Sequence, residues 1–284
     1  MNPASLIYDL PEADYHAHPA LSSTGARRLL RPGCPALFDW ERQHPRPATE
    51  AMKLGRAAHR EVLGVGSDFA LTDKWDNFRT DAAREWRDQA EVDGLIPMLT
   101  NSSKWERVQG MKTALLAHAS YRRLFDPERG HAEASAFWVD DETGVDCRAR
   151  FDFLPDPIKG RRLVIADYKK TTGPDPGAFA RDAATYGYPM QADWYLRGAR
   201  ALKLDPDPQF VFVAQSDQPP YLVSVTYLTS ADLQLAHHRN RIALHTFKGC
   251  SERGEWPGYD AVTALPMPTY WRIESEDLIE GATE

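Results

Sequence analysis

Cysteine is scarce in this 284-residue sequence: Cys34, Cys147 and Cys250 stand far apart with no close-spaced pair. That excludes a disulfide framework and argues against a cysteine-rich zinc site, leaving reduced thiols. Long apolar runs are missing as well. No stretch approaches the roughly 18 to 20 apolar residues that cross a bilayer, and the opening MNPASLIYDLPEADYH has no basic stretch followed by an apolar one. A cytoplasmic protein without membrane association is expected. Internal repeats, low-complexity segments and an obvious linker are absent, which predicts a single domain over residues 1–284. Net positive charge is also lacking. The formal charge of −7 argues against non-specific coating of nucleic acid but leaves room for a local basic groove.

What is present is the composition of a folded protein, 42% apolar and 26% charged. SSTGARRLLR at 22–31 opens on hydroxyl residues suited to capping and stops at Pro32, which reads as a short helix. PALFDWERQ follows as a second. In TEAMKLGRAAHREVL, residues 49–63, apolar side chains recur at helical spacing and put His59 inside a helix. Residues 75–92 and 103–118 read as further helices, so residues 1–120 are expected to be mainly helical. The texture then changes. SAFWVD, VDCRARFDFL and RRLVIADYKK, joined by the turns DETG and PDPIKG, predict an antiparallel three-stranded meander inside a core spanning 130–250. A helical region over 176–202, interrupted at Pro189, precedes the strands QFVFVAQS and YLVSVTYL and a helix over 230–247. Residues 251–284, rich in Pro and Gly, are expected to be an irregular tail. This order predicts an α/β fold with a mixed central sheet and an N-terminal helical region.

Because side chains alternate along a strand, Asp167 and Lys169 of LVIADYKK share one face while Ala166 and Tyr168 share the other. The PDPIKG hairpin returns the preceding strand alongside, so Asp152 of ARFDFL can face Asp167 within reach of a shared ion. Two carboxylates held together at neutral pH repel unless positive charge lies between them. A hard divalent cation with oxygen ligands answers that need, and Mg²⁺ fits the ligand types. Lys169 beside it could orient a water or stabilise charge developing on phosphorus. Candidate basic clusters are Arg27-Arg28-Arg31, Arg148 with Arg150, Lys159-Arg161-Arg162 and Lys169-Lys170; each taken alone reads better as a solvated face.

Four motifs in chain order carry a resemblance. Gly55-Arg-Ala-Ala-His59 looks like G-x-x-x-H, Asp152 and Asp167-Tyr168-Lys169 look like D…D-x-K, and Gln191-Ala-Asp-Trp-Tyr195 looks like Q-x-x-x-Y. With LSSTGARRLL, RARFDFL, DYKKTTGPDPGAF and YGYPMQADWYL around them, the sequence resembles RecE-type phage and prophage exonucleases (exodeoxyribonuclease VIII). These belong to the RecB-like branch of the PD-(D/E)XK nuclease superfamily, and the resemblance runs from Tyr15 to the WPGY segment at Trp256. It implies a PD-(D/E)XK restriction-endonuclease-like core in which His59, Asp152, Asp167 and the backbone carbonyl of Tyr168 ligate Mg²⁺ or Mn²⁺. Asp152, Asp167 and Lys169 would act in catalysis. Gly55, one turn before His59, would permit close backbone approach. Glu133 stands where many relatives carry an acid, and reads equally as a solvated strand-end charge.

Gln191 and Tyr195 share a helix face and could contact DNA or hold the active-site strand. Ser22 and Ser23, with Arg27 or Arg28 nearby, could bind a terminal 5′ phosphate. Those two arginines lie about 100° apart on a helix, so at most one faces DNA. The implied activity is Mg²⁺-dependent degradation of linear double-stranded DNA, 5′ to 3′, leaving 3′ single strands for a RecT-like single-strand annealing protein. Such enzymes assemble as homo-oligomeric rings, which would let an acidic monomer enclose a basic channel. The alternatives are an endonuclease or single-strand exonuclease on the same fold, and a non-catalytic DNA-binding module. The iron–sulfur branch needs four cysteines.

Overall fold

The computed structural model of the chain describes residues 4–30, 34–44, 49–64, 66, 68–259 and 262–282; Arg31 and Pro32 lie outside the described residues. The N-terminal part contains β1 (Ser5–Ile7), α1 (Glu12–Ala17), β2 (Leu21–Ser22), α2 (Ser23–Leu29), α3 (Cys34–Gln43) and α4 (Glu50–Leu63). After these come β3 (Phe69–Thr72), α5 (Asp81–Val92), β4 (Ile96–Leu99), α6 (Ser103–Ala117) and α7 (Tyr121–Leu124). The central strands are β5 (Gly130–Val139), β6 (Asp146–Pro155) and β7 (Val164–Thr171). They are followed by α8 (Pro176–Tyr186), α9 (Tyr188–Ala201), β8 (Gln209–Ser216), β9 (Val223–Thr226), α10 (Ser230–Arg253) and α11 (Thr269–Gly281).

Helix starts are fixed by side-chain caps. Ser22, Thr49, Ser102 and Thr229 each accept a hydrogen bond from the N–H three residues on, satisfying a donor the helix leaves open. The main sheet runs in the order β1-β5-β6-β7-β8-β9. Its β5–β6–β7 part is the expected antiparallel meander, whereas β7 and β8 are parallel, since α8 and α9 supply the crossover that parallel neighbours need. Strand β6 is served in two stretches. The parallel β2 pairs with its start at Cys147 and Arg148, β7 pairs with its end at Phe153, and a cleft opens in the region between.

One core, containing Phe151, Trp194, Phe212 and Leu244, joins the sheet to α2, α9 and α10. A second, containing Ala58, Met111, Tyr168 and Val213, joins the other face to α4 and α6. The mixed α/β architecture matches the expectation; several details differ. Among the described residues, the first 120 also hold four short strands. α5 begins only at Asp81. The break in the helical region falls at Gly187, whose φ of 68° suits a glycine, while Pro189 sits in the first turn of α9, where its missing N–H is harmless. The tail expected to be irregular carries α11. Among the described residues, no helix is long and apolar enough to cross a membrane.

Candidate active site

Glu133, Asp152 and Asp167 form a row across three adjacent strands. The pairs Ala132↔Phe153 and Ala134↔Phe151 bracket Glu133 and Asp152, and Phe153↔Ala166 sets Asp152 beside Asp167. Strands β5 and β6 change faces here: Ala134 and Phe151 pack into the α9-side core, while Ala132 and Phe153, two residues away, pack on the α4-side. Two-residue spacing normally keeps a face, so the exchange marks a local twist. Its centre is Glu133, a non-glycine residue with a φ of 55°, a backbone that costs on the order of 1–3 kcal/mol and is held by the ladder on both sides.

Helix α4 brings His59 to this row, Nδ1 3.4 Å from Glu133 Oε1 and Nε2 3.4 Å from Asp152 Oδ1. The helix packs on the sheet through the fully buried Ala58, while Ala57 is buried against Ile96, Met98 and Val108 on another side. Lys112 pairs with Glu61 at 2.5 Å, and the Tyr121 hydroxyl donates to the Val62 carbonyl at 2.9 Å. The close approach expected at Gly55 is not found: a Cβ there would meet nothing within 4 Å. Gly55 lines the open cleft.

The expected alternation along β7 holds. The Tyr168 hydroxyl donates to Gln215 Oε1 at 2.7 Å on the α6 side, and Gln215 in turn donates to the Met111 carbonyl. The Tyr168 backbone N–H donates to Asp152 Oδ2 at 2.8 Å. On the other face Gln191 Nε2 donates to Asp167 Oδ1 at 2.7 Å. Asp167 Oδ2 meets the Lys169 ammonium in an ion pair and, although buried, has no other partner among the described residues.

Burial first, and the Asp152 charge second, push the Asp167 carboxyl up to about 6. Burial likewise raises Glu133, against the pull of His59. Asp152 moves down: burial opposes its charge, but the charge and hydrogen bond of His59 and the charge of Lys169 outweigh it. His59 and Lys169 both move up because neighbouring carboxylates outweigh their desolvation. The row therefore sets three acids against His59, Lys169 and Arg150, the last 3.5 Å from Glu133 Oε2. Among the described residues, no three His, Cys, Asp or Glu side chains converge into a ready cation cage. The donor chemistry nevertheless fits a hard divalent ion: one imidazole, several carboxylates and a buried oxygen held only by an ammonium. Such an ion would displace part of the His59 and Lys169 pairing.

These groups lie at or behind one wall of a cleft of about 1660 Å³, which Glu133, Asp152, His59 and Lys169 line and Asp167 does not. Ser22, Ser23 and Arg28 line it too. Ser22 is the cap of α2, accepting from Gly25 N at 3.2 Å. Arg27 turns away to donate to the Tyr186 carbonyl at 2.8 Å, leaving Arg28 as the one of the pair on the cleft. Gln191 is buried against Asp167, which favours strand holding over DNA contact. Tyr195 packs edge-on against Phe151 and Phe210 and also borders the cleft. Arg148, Arg150 and Lys170 line the cleft, whereas Lys159, Arg161 and Arg162 lie elsewhere, Arg162 pairing with Asp207. Two residues were not singled out from the sequence. Tyr15 stacks under both Arg148 and Arg150, and Tyr188 turns its ring to Lys169.

A mixed sheet with an Asp152, Asp167, Lys169 core on adjacent strands and a histidine brought by a flanking helix defines a PDDEXK-like domain. Residues 34–263 match the model of a PDDEXK-like domain of unknown function (DUF3799), and the chain belongs to that family. Among solved structures, it resembles a candidate exonuclease from Eubacterium rectale with a TM-score of 0.59 at 11% identity, covering 92% of this chain and 97% of that one. That likeness supports the fold. A comparison with curated proteins finds none that matches.

Proposed function

We propose that this protein is a divalent-metal-dependent nuclease that degrades linear double-stranded DNA from its ends. The carrying observation is the convergence of His59, Glu133, Asp152 and Lys169 on one cleft, with Asp167 directly behind. His59, Asp152, Asp167 and the Tyr168 carbonyl would hold Mg²⁺ or Mn²⁺, with Glu133 beside them as a further acid. When bound, the ion supplies Lewis-acid polarisation of the scissile phosphodiester and a more acidic water. Lys169, held by Asp167, places its ammonium where charge develops on phosphorus. Gln191 keeps the Asp167 carboxylate facing Lys169. Arg28, Arg148 and Arg150 supply positive charge along the cleft for the phosphate backbone.

The resemblance to RecE-type enzymes supports 5′ to 3′ polarity, a 3′ single-stranded product passed to a RecT-like annealing protein, and a ring of several copies. The test is incubation with linear and covalently closed duplexes, with and without Mg²⁺. Progressive loss of the linear form only, and only with metal, is expected. Rapid cutting of closed circles would promote the endonuclease reading, metal-independent cleavage would remove the metal dependence, and absent cleavage would remove the nuclease.

A further inference from the structure

Helix α9 reaches the catalytic strand through more than Gln191. Tyr188, Gln191 and Tyr195 follow one another at spacings of three and four, hence along one helix face. Gln191 holds Asp167 Oδ1, and one turn earlier the Tyr188 ring lies with its centroid 5.1 Å from Lys169 Nζ. The ammonium is thus flanked by the Asp167 carboxylate and an aromatic face, whose negative quadrupole attracts a cation.

The ring itself is fixed. Phe179, Phe212 and Tyr186 surround it at centroid distances of 6.0, 5.9 and 5.7 Å. Its backbone follows the Gly187 elbow, where a Cβ would lie 2.9 Å from Arg27 Cδ, and Arg27 donates to the Tyr186 carbonyl just before it. A four-carbon side chain such as lysine carries many rotamers, and an ion pair with Asp167 alone leaves the ammonium free to swing around the carboxylate.

We propose that Tyr188 is a positioning residue that holds the Lys169 ammonium in the direction needed for phosphodiester cleavage. The kinetic part of this inference rests on the nuclease reading; the geometric part does not. Tyr188→Leu is expected to lower kcat on linear duplex about two- to thirty-fold, the range a contact of this kind contributes. KM, and duplex affinity in Ca²⁺, should be unchanged. Tyr188→Phe, which keeps the ring, should recover most of the loss. A Leu variant at wild-type kcat, or a Phe variant as impaired as Leu, overturns the proposal.

An independent readout is the ¹H–¹³C spectrum of the lysine ε-methylene groups. The Lys169 signal, identified by its loss in Lys169→Arg, should lie upfield in the wild-type protein from the ring current. It should stay there in Tyr188→Phe and move to the ordinary lysine position in Tyr188→Leu. An ordinary Lys169 position in the wild-type protein sinks the inference even if the nuclease is active and the Leu variant fails to fold. An upfield signal in a protein that cleaves no DNA would instead leave the contact standing and remove only the nuclease reading.

Discussion

With its side chain fully buried, one oxygen held by Gln191 and the other beside Lys169, Asp167 ionises in the folded protein only near pH 6, against an ordinary value near 4. The unfolded chain therefore loses this proton first. Stability contributed by the protonated form is complete below about pH 4 and is lost as pH rises through 6. At pH 8 the ionised, buried group opposes folding. The stability of Asp167→Asn relative to wild type should accordingly improve by about 1–3 kcal/mol between pH 4 and pH 8, on top of a pH-independent cost for leaving the Lys169 ammonium without its carboxylate, while nuclease activity disappears. Urea unfolding at the two pH values measures this, and a difference between variant and wild type that stays constant or widens from pH 4 to pH 8 would contradict it. Asp152, Asp167 and Lys169 were legible in the sequence because strand alternation and one hairpin, its connection running from Pro155 to Val164, suffice to bring them together. Tyr188 was not, because its aim depends on the direction of the Gly187 elbow. The placement of Glu133 depends on a twist that no periodicity announces.

Helix α4 positions His59 by packing the small Ala58 against the sheet where a larger side chain would stand. Ala58→Leu adds volume under a closely packed helix, which typically costs 1–3 kcal/mol, and should lift His59 from Glu133 and Asp152. The expected result is a lowered melting temperature together with a raised Mn²⁺ requirement, the latter resembling His59→Ala. Calorimetric Mn²⁺ titration distinguishes the outcomes: unchanged affinity despite destabilisation would mean that His59 is not a ligand. The helix itself was legible, since Thr49 and the apolar spacing announce it. Strands β1 to β4 were not, being two to four residues long and defined by partners distant in sequence. α11 escaped notice for a related reason: it buries none of its residues, so no apolar stripe directed at a core marks it.

The molecule as a whole is acidic, yet it gathers Arg28, Arg148, Arg150 and Lys170 on the cleft and leaves Lys159 outside it. On the exonuclease reading, a duplex with a 5′ phosphate should be degraded faster than one with a 5′ hydroxyl, since Arg28 offers a charge-assisted hydrogen bond to the terminal group. Arg28→Ala should abolish the preference and reduce the log–log salt slope of duplex binding by roughly 0.9. Lys159→Ala should change neither. Equal rates on both ends in the wild type would remove the phosphate pocket while leaving end-dependent cleavage intact.

The carboxylate row has one further consequence, for the protein while it is being made. Residues 133–169 form a contiguous meander, but His59 comes to it from upstream and Gln191 from downstream. A growing chain therefore exposes its acids before α9 exists to pin Asp167 and confine Lys169. The row is ordered only once the polypeptide has passed α9, so a growing chain that stops short of it carries the charges of the site without the side chains that fix their geometry.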